Sequence, residues 1–450
     1  MTGLGIHGFG ERQDREDLSL SSGVKVRPLQ TFEREPASRS MANAEQNKRH
    51  VIILGAGSSV TSGYPVANGL RLLMSSEKRV REELERLGKF NTEYTDKVIA
   101  QMMGGAMKET IDLFRHGGFA TVDEFSNLAY NRLPKEVQNL KRLLRFALAL
   151  HDPEENFEKS DYYVFIQKLF QKGLFPLRRD VAILTFNYEP YLPYLLSKAY
   201  SIRCQVSGEN EAVNAADALT SGLTSRAVGA LEHGDDLCVL QLHGTIAWPR
   251  KVEGEHLCSY GDLFGTSIKD RIEQLCFSPC ADTLPPVLFP WEVFDQNGFV
   301  NEETFCLKEQ PDSRGLRQGA YPGNVNLHQL FLSIWKRAHR EITNATKISF
   351  VGLSMHDFLN PALRFLFANR RENAAIVCAT MDHIQFRSAD DVEAHINPRS
   401  PTFKVRRLLR EVCPAVTGVP NRGDKQIWLD QGATVRVRET FRDFIENELD

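Results

Sequence analysis

Five short apolar segments, each ending in a small or polar motif, set the main constraint on how this 450-residue chain folds. Apolar runs of strand length that alternate with helical patterns predict a parallel sheet covered on both faces. We therefore expect an α/β fold, with a parallel sheet flanked by helices. The five predicted strands are Val51–Leu54, Val181–Leu184, Leu237–Leu242, Lys347–Val351 and Ala374–Ala379.

The spacing of the predicted strands indicates large insertions. Between Ser59 and Val181 lie 121 residues, and several stretches of them carry apolar residues at helical spacing. That is far longer than a single crossover helix. We predict a disordered leader over 1–48, with Met41 as an alternative start, one domain over 49–385 with a helical insertion at about 66–178 and a second insertion at about 245–344, and a C-terminal α/β extension over 386–450.

The C-terminal extension shows a weaker pattern. Lys404–Glu411 and Glu439–Leu449 are predicted as amphipathic helices, with a short strand near Gln426–Leu429 between them. The basic cluster at Arg406, Arg407 and Arg410 is interpreted as one solvated helix face, with a nucleic-acid or partner contact as the alternative.

Charge and hydropathy restrict the partners of the chain. Its 55 Lys and Arg against 58 Asp and Glu give a net charge of −3, which argues against a dedicated nucleic-acid binder. The longest apolar runs are strand-sized, well short of the roughly 20 residues of a membrane span. Charged residues stand where a signal peptide needs its apolar core, and the eight cysteines are scattered. We expect a cytoplasmic protein that binds neither a membrane nor nucleic acid directly.

One cysteine-containing pattern has to be weighed as a zinc site. His256, Cys258, Cys276 and Cys280 supply four soft ligands, but structural zinc sites usually show tighter Cys-x2-Cys pairs. We favour four unrelated residues within an insertion, and expect no metal.

Small and polar residues follow four of the predicted strands, where ligands bind in open α/β sheets. The loop Gly55-Ala56-Gly57-Ser58-Ser59 lets backbone amides approach an anion, although Val60 replaces the third glycine of the dinucleotide fingerprint. A packing turn is the alternative interpretation.

The second, third and fourth predicted strands end in Asn187, His243 and Gly352-Leu353-Ser354. A carboxamide can hold a sugar hydroxyl or a water, and an imidazole can accept a proton. The alternatives are an Asn that caps the following helix and a structural His.

The order of these motifs resembles that of the sirtuin family. The matching segments are Gly55–Pro65, Thr185–Glu189, His243-Gly244 and Gly352–Ser354. The resemblance implies a sirtuin-like, Rossmann-type α/β fold with a large helical insertion and no zinc ribbon, in which NAD is bound as substrate without a metal. It implies Asn187 and His243 as catalytic residues, and as NAD-binding residues Gly55, Ala56, Gly57, Ser58, Ser59, Gly63, Tyr64, Pro65, Thr185, Gly352 and Ser354.

The departures from the family pattern change the expected activity. Val66-Ala67-Asn68 replaces the Asp-Phe-Arg that follows the proline in deacylases, and the paired Cys-x2-Cys motifs of the zinc ribbon are missing. The insertion with Thr121–Phe125 resembles the sirtuin-like domains of bacterial antiphage systems, which hydrolyse NAD.

The resemblance therefore implies an NAD glycohydrolase that depletes NAD in abortive infection, controlled by homo-oligomerisation or by a partner defence subunit. The alternatives are an NAD-dependent protein deacylase or ADP-ribosyltransferase, and a non-catalytic NAD or ADP-ribose sensor.

Overall fold

The architecture is taken from a computed structural model of the protein. It describes residues 49–88, 90–119, 121–129, 133–151, 157–172, 180–196, 239–246, 250–251, 257–258, 267–277, 285, 287–289, 292, 294–295, 298–299, 327–354, 359–371, 374–379, 408, 427–430, 433–438 and 440–449. The predicted leader over 1–48 and the predicted helix Lys404–Glu411, apart from Leu408, lie outside these residues.

Seven strands form the main sheet of the described chain, and two further pairs of two-residue strands form small antiparallel ladders. The strands are β1 (Arg49–Leu54), β2 (Val181–Thr185), β3 (Val239–Gln241), β4 (Arg250–Lys251), β5 (Leu257–Cys258), β6 (Phe294–Asp295), β7 (Gly298–Phe299), β8 (Ala345–Val351), β9 (Ala375–Ala379), β10 (Ile427–Asp430) and β11 (Ala433–Arg438).

The order in the main sheet is β10-β11-β9-β8-β1-β2-β3, and only β10 pairs antiparallel to its neighbour. All five predicted strands are present. The predicted parallel sheet is thereby confirmed. The strand predicted near Gln426–Leu429 is β10, and it forms a hairpin with β11, which the sequence analysis missed. Because β11 pairs with β9, residues of the predicted C-terminal extension belong to the same sheet.

Helices cover both faces of this sheet. In the described part of the chain between β1 and β2 there are seven of them, α1 to α7. Short 3-10 helices span Ala56–Ser62 and Phe157–Lys159. The α-helices are α1 (Ala67–Ser75), α2 (Glu77–Gly88), α3 (Thr92–Met103), α4 (Ala106–His116), α5 (Val122–Ala129), α6 (Pro134–Ala149), α7 (Asp161–Gln171), α8 (Ile268–Phe277), α9 (Leu327–Asn344), α10 (Asn360–Phe367) and α11 (Phe441–Glu448).

Alternating strand residues enter two separate cores. Ile52 and Ile183 pack on the side of the helical insertion, whereas Val51 and Leu184 pack against α9 and α10. Because successive strand side chains point to opposite faces, Thr185 continues the insertion face of β2. Polar residues that follow these strands at the same spacing are therefore directed toward the insertion.

The C-terminal helix α11 is tied to the sheet by a buried carboxylate. Glu448 is fully buried and lies 2.8 Å from Lys347 Nζ and 2.6 Å from Arg438 Nη2. Burial alone would raise the pKa of Glu448, but the two cations outweigh it and lower the pKa. At its other end, Arg442 pairs with Asp161 at the start of α7, with 2.8 Å between Nη2 and Oδ1. No helix within the described part of the chain has the length and apolar character needed to cross a bilayer.

The residue that follows β8 gives a test of the packing at the carboxyl edge of the sheet. Gly352 has φ = 62°, and a Cβ there would overlap the backbone of Gly57 and Ser58. Strain and overlap together predict that Gly352→Ala lowers the free energy of unfolding by about 2–4 kcal/mol. Urea denaturation measures this change.

Gly118 is the control, because it has φ = 74° but open space around its Cβ position. We expect Gly118→Ala to cost only about 1–2 kcal/mol from backbone strain. Equal losses in the two variants would show that the contact between the loops is not a tight one.

Candidate functional site

The loop after β1 packs against the loop after β8. The Gly57 amide donates to the Gly352 carbonyl oxygen at 2.8 Å, and the Gly55 amide donates to that of Val351 at 2.9 Å. A Cβ at Gly55 would lie 2.6 Å from the Cα of Leu353. These glycines therefore allow two backbones to approach closely. This agrees with the alternative interpretation of the loop as a packing turn. Ala56, Gly57 and Ser354 remain exposed at the same edge.

The remaining residues of the first motif occupy different surroundings. Ser58 and Ser59 are buried, and Ser59 Oγ donates to the Ala56 carbonyl oxygen at 3.1 Å. The 3-10 helix ends at Gly63, which is left-handed with φ = 91°. Tyr64 is buried with its ring 5.8 Å from that of Tyr191, and Pro65 is half-buried. Tyr64 thus lies in the core below the loop rather than at its exposed edge.

Asn187 lies in a buried hydrogen-bond network beyond the end of β2. Its Nδ2 donates to Glu189 Oε1 at 3.1 Å and to the Tyr162 hydroxyl at 3.1 Å, and it lies 3.4 Å from Ser58 Oγ. The Tyr162 hydroxyl is 2.8 Å from Ser58 Oγ. The structure therefore brings Ser58 and Asn187 together. It also adds Glu189 and Tyr162, whose roles the sequence analysis did not foresee.

The network fixes which way the Asn187 carboxamide faces. The ionised form of Glu189 only accepts hydrogen bonds, so it places the NH2 group of Asn187 beside it. Asn187 Oδ1 then points elsewhere, is buried, and has no hydrogen-bond partner among the described residues. A buried acceptor without a partner costs free energy, so this atom is available to a ligand or a water.

The alternative that Asn187 caps the next helix does not hold. Residues 191–196 are helical, and the backbone amide of Tyr191 donates to Glu189 Oε2 at 2.6 Å. Glu189 is therefore the capping residue. The backbone amide of Asn187 itself donates to Thr185 Oγ1 at 3.0 Å, so Thr185 holds the turn that presents the carboxamide.

Burial raises the pKa of Glu189 to about 7, against the opposing effect of the three hydrogen bonds that its carboxylate accepts. The side chain is only 4 % exposed. At neutral pH the group therefore lies near its midpoint, and both protonation states are populated.

His243 follows β3 and is held by aromatic rings. The edge of Phe186 meets the imidazole with 5.0 Å between ring centroids, and Tyr188 stacks on it at 5.5 Å with 27° between the planes. Neither ring nitrogen has a hydrogen-bond partner among the described residues. Burial lowers the pKa of His243 to about 3, so the imidazole is neutral at neutral pH.

Asn187 and His243 lie at the same level of neighbouring strands. Thr185 pairs with Gln241 in the parallel ladder, and each of the two site residues comes two positions later. The amide of Leu242 still donates to the Thr185 carbonyl oxygen at 2.9 Å, so the strands stay adjacent past the ladder. The strand register therefore places both residues at the same carboxyl edge of the sheet.

Gln241 is a further candidate site residue that the sequence analysis missed. It is buried, and its Nε2 has no hydrogen-bond partner among the described residues. It precedes His243 by two positions on the strand that pairs with Thr185. This alternation was the signal in the sequence that could have identified it. An unpartnered donor thus accompanies the unpartnered Asn187 acceptor.

The zinc ligands weighed from the sequence are only partly visible. Cys276 is buried in α8 and burial raises the pKa of its thiol to about 12, while Cys258 lies in β5. His256 and Cys280 lie outside the described residues. Within the residues that the structure describes, no three His, Cys, Asp or Glu side chains are grouped as metal ligands.

No protein family model matches the chain, and no curated protein matches it either. Solved structures similar to it include Sir2 in complex with the inhibitor EX-527, 2'-O-acetyl-ADP-ribose and a deacetylated p53 peptide (13 % identity over 75 % of this chain and 84 % of that chain, TM-score 0.28). A Sir2–p53 peptide–NAD+ structure shows 14 % identity over 76 % and 85 %, with TM-score 0.26. The α/β assignment itself rests on the strand order and register.

The raised pKa of Glu189 predicts a pH-dependent stability. The folded-state pKa of about 7 lies above the ordinary glutamate value of 4.5, so the native state binds more protons between these values. The stability of the wild type relative to Glu189→Gln is therefore expected to fall by about 3 kcal/mol as the pH rises through this window. Chemical denaturation at several pH values measures the difference.

Glu109→Gln, at an exposed carboxylate of α4, is the control for the loss of a negative charge. Its stability relative to the wild type is expected to stay flat over the same window. A flat difference for Glu189→Gln as well would contradict the buried titration.

Proposed function

We propose that the crevice beyond β1, β2, β3 and β8 binds NAD and hydrolyses the bond between nicotinamide and ribose. One observation carries the proposal. A buried carboxamide oxygen on Asn187 and a neutral imidazole on His243, neither with a hydrogen-bond partner among the described residues, follow the ends of neighbouring strands. These groups suit hydrogen-bonding to sugar hydroxyls and to a water.

The reaction needs little acid catalysis from the protein. The pyridinium nitrogen carries a positive charge in NAD, so nicotinamide leaves as a neutral molecule with the bonding electron pair. Water then adds to C1′ of the ribose and loses one proton. The site has to fix the sugar, admit one water and keep other nucleophiles out. A crevice lined by buried side chains fits these tasks.

The proposed roles follow from the partners of each group. Asn187 Oδ1, whose direction Glu189 fixes, accepts a hydrogen bond from a ribose hydroxyl or from the water. His243 accepts a proton from a hydroxyl or the water, although its low pKa makes it a weak base before NAD binds. Thr185 supports Asn187 through the turn.

The phosphates are proposed to lie at the exposed edge formed by the loops after β1 and β8. The Gly57 amide already donates to Gly352, so exposed Ala56 and Ser354 are the nearer contacts, with Gly55, Ser58, Ser59 and Gly63 to Pro65 supporting the loop. Local amides can hold an anion without an overall basic charge, which is consistent with the net charge of −3.

The proposed biological role is NAD depletion in antiphage defence, and it rests on the sequence resemblance. An enzyme that consumes cellular NAD has to be restrained, so we propose control by homo-oligomerisation or by a partner subunit. High turnover of the purified protein that does not vary with its concentration or with added partners would contradict this control.

The activity test measures nicotinamide release from NAD alone. We expect His243→Ala and Asn187→Ala each to reduce the rate on the order of 10²- to 10⁴-fold while the protein stays folded, because a positioned acceptor is lost. His116→Ala, at an exposed histidine that ends α4, is the matched control and is expected to keep full activity.

Other outcomes of the same assay identify the alternatives. Nicotinamide release that requires an acylated peptide or a protein acceptor would indicate a deacylase or an ADP-ribosyltransferase. NAD binding without turnover would indicate a sensor. Full activity in both site variants would refute the roles given to Asn187 and His243.

A further inference from the structure

Tyr188, which stacks on His243, is tied to the helical insertion by a hydrogen bond. Its hydroxyl donates to Asp123 Oδ1 at 2.7 Å. Asp123 lies in the first turn of α5, where Thr121 Oγ1 accepts a hydrogen bond from the Glu124 amide at 3.0 Å and so caps the helix. The sequence segment Thr121–Phe125, which the proposed function leaves without a role, therefore reaches the candidate site through one phenol.

Asp123 itself is held by a well-packed helix. Phe125 of the same turn contacts Phe114 and Phe119, with ring centroids 5.4 Å and 4.9 Å away. Thr110 and Asn139, which join α4 to α6 through a 3.0 Å hydrogen bond, are buried beside this cluster of helices. The carboxylate is thus a fixed point in the insertion.

Tyr188 is also bound to the loop that carries His243. Its carbonyl oxygen accepts hydrogen bonds from the Ile246 amide at 3.1 Å and from Thr245 Oγ1 at 3.0 Å. Its ring meets the edge of Phe289 at 6.0 Å. The hydroxyl of Tyr188 is therefore bound by α5, its carbonyl oxygen by the loop after β3, and its ring by Phe289.

Among the described residues, His243 is in ring contact with Phe186 and Tyr188 and makes no side-chain hydrogen bond. Histidines in catalytic sites are commonly oriented by a hydrogen bond to one ring nitrogen. His243 has no such bond within the described chain, and the face of Tyr188 and the edge of Phe186 meet its imidazole instead. A shift of the Tyr188 ring would let the imidazole turn.

We propose that Asp123 and Tyr188 are positioning residues for His243, with Asp123 fixing the phenol and the phenol ring fixing the plane of the imidazole. The inference deepens the proposed function, since it assigns the helical insertion a part in the NAD site. It predicts an effect on the chemical step rather than on binding, because a misplaced acceptor mainly reduces the rate of the bound substrate.

The test combines a spectrum of His243 with steady-state kinetics. The protein is labelled at the histidine ring carbons, and the His243 signal is assigned by its loss in His243→Ala. Asp123→Ala and Tyr188→Phe are each expected to move the His243 signal, because the ring current of a displaced phenyl ring changes. We expect kcat for nicotinamide release to fall on the order of 10- to 100-fold in both, with KM for NAD within a few-fold of the wild type.

Two further variants separate positioning from general stability. Asp123→Asn keeps an oxygen that can accept from the phenol, and it is expected to restore most of kcat and the wild-type His243 signal. Asp112→Ala removes an exposed carboxylate of α4, which lies 3.8 Å from Arg115, and should change neither readout.

The inference is overturned if folded Asp123→Ala and Tyr188→Phe leave the His243 signal and kcat unchanged, or if Asp123→Asn is as impaired as Asp123→Ala. The spectrum keeps the two proposals distinguishable. A wild type without NAD turnover would refute the proposed function, whereas an unmoved His243 signal in the variants would refute the positioning role by itself.

Discussion

The contact between the backbones that follow β1 and β8 sets the geometry on which the rest of the site depends. Gly55, Gly57 and Gly352 meet without side chains between them. The Gly55 amide donates to the Val351 carbonyl oxygen at 2.9 Å, and the Gly57 amide donates to that of Gly352 at 2.8 Å. Such an approach is open only to glycine, because a Cβ would fall within the opposite main chain. The exposed edge at Ala56 and the buried Ser58 are both placed by this contact.

Behind that edge lie buried polar atoms of Asn187, Gln241 and His243 that have no hydrogen-bond partner among the described residues. Buried polar groups are normally hydrogen-bonded, so such atoms on three neighbouring side chains are unusual. Asn187 and His243 follow the ends of β2 and β3, and Gln241 is the final residue of β3. Glu189 and Tyr162 accept hydrogen bonds from Asn187 and so orient its carboxamide. These atoms support the proposal that a sugar-containing ligand binds at this edge of the sheet.

The sheet could be predicted because apolar runs of strand length leave few alternatives, and all five runs became strands of one sheet. Asn187 and His243 could also be predicted, because polar residues that follow parallel strands meet at the carboxyl edge of the sheet. Glu189, Tyr162 and Asp123 could not. Tyr162 lies in α7, the helix that directly precedes β2, and Asp123 lies in α5, further back in the chain. Nothing in local periodicity says which face of either helix meets a strand end. Gln241 was missed although its two-residue spacing from His243 places both on one face of the strand.

The ties of α11 also have a consequence for how the protein matures during synthesis. Arg442 pairs with Asp161, and Phe441 meets the ring of Tyr162 with 5.8 Å between centroids. Domains fold as their chain emerges from the ribosome, at about 5–20 residues per second. The contact between Phe441 and Tyr162, which accepts a hydrogen bond from Asn187, forms only after α11 has been synthesised. A nascent chain therefore carries the loop after β1 and most of the helical insertion for many seconds before the crevice takes its final form.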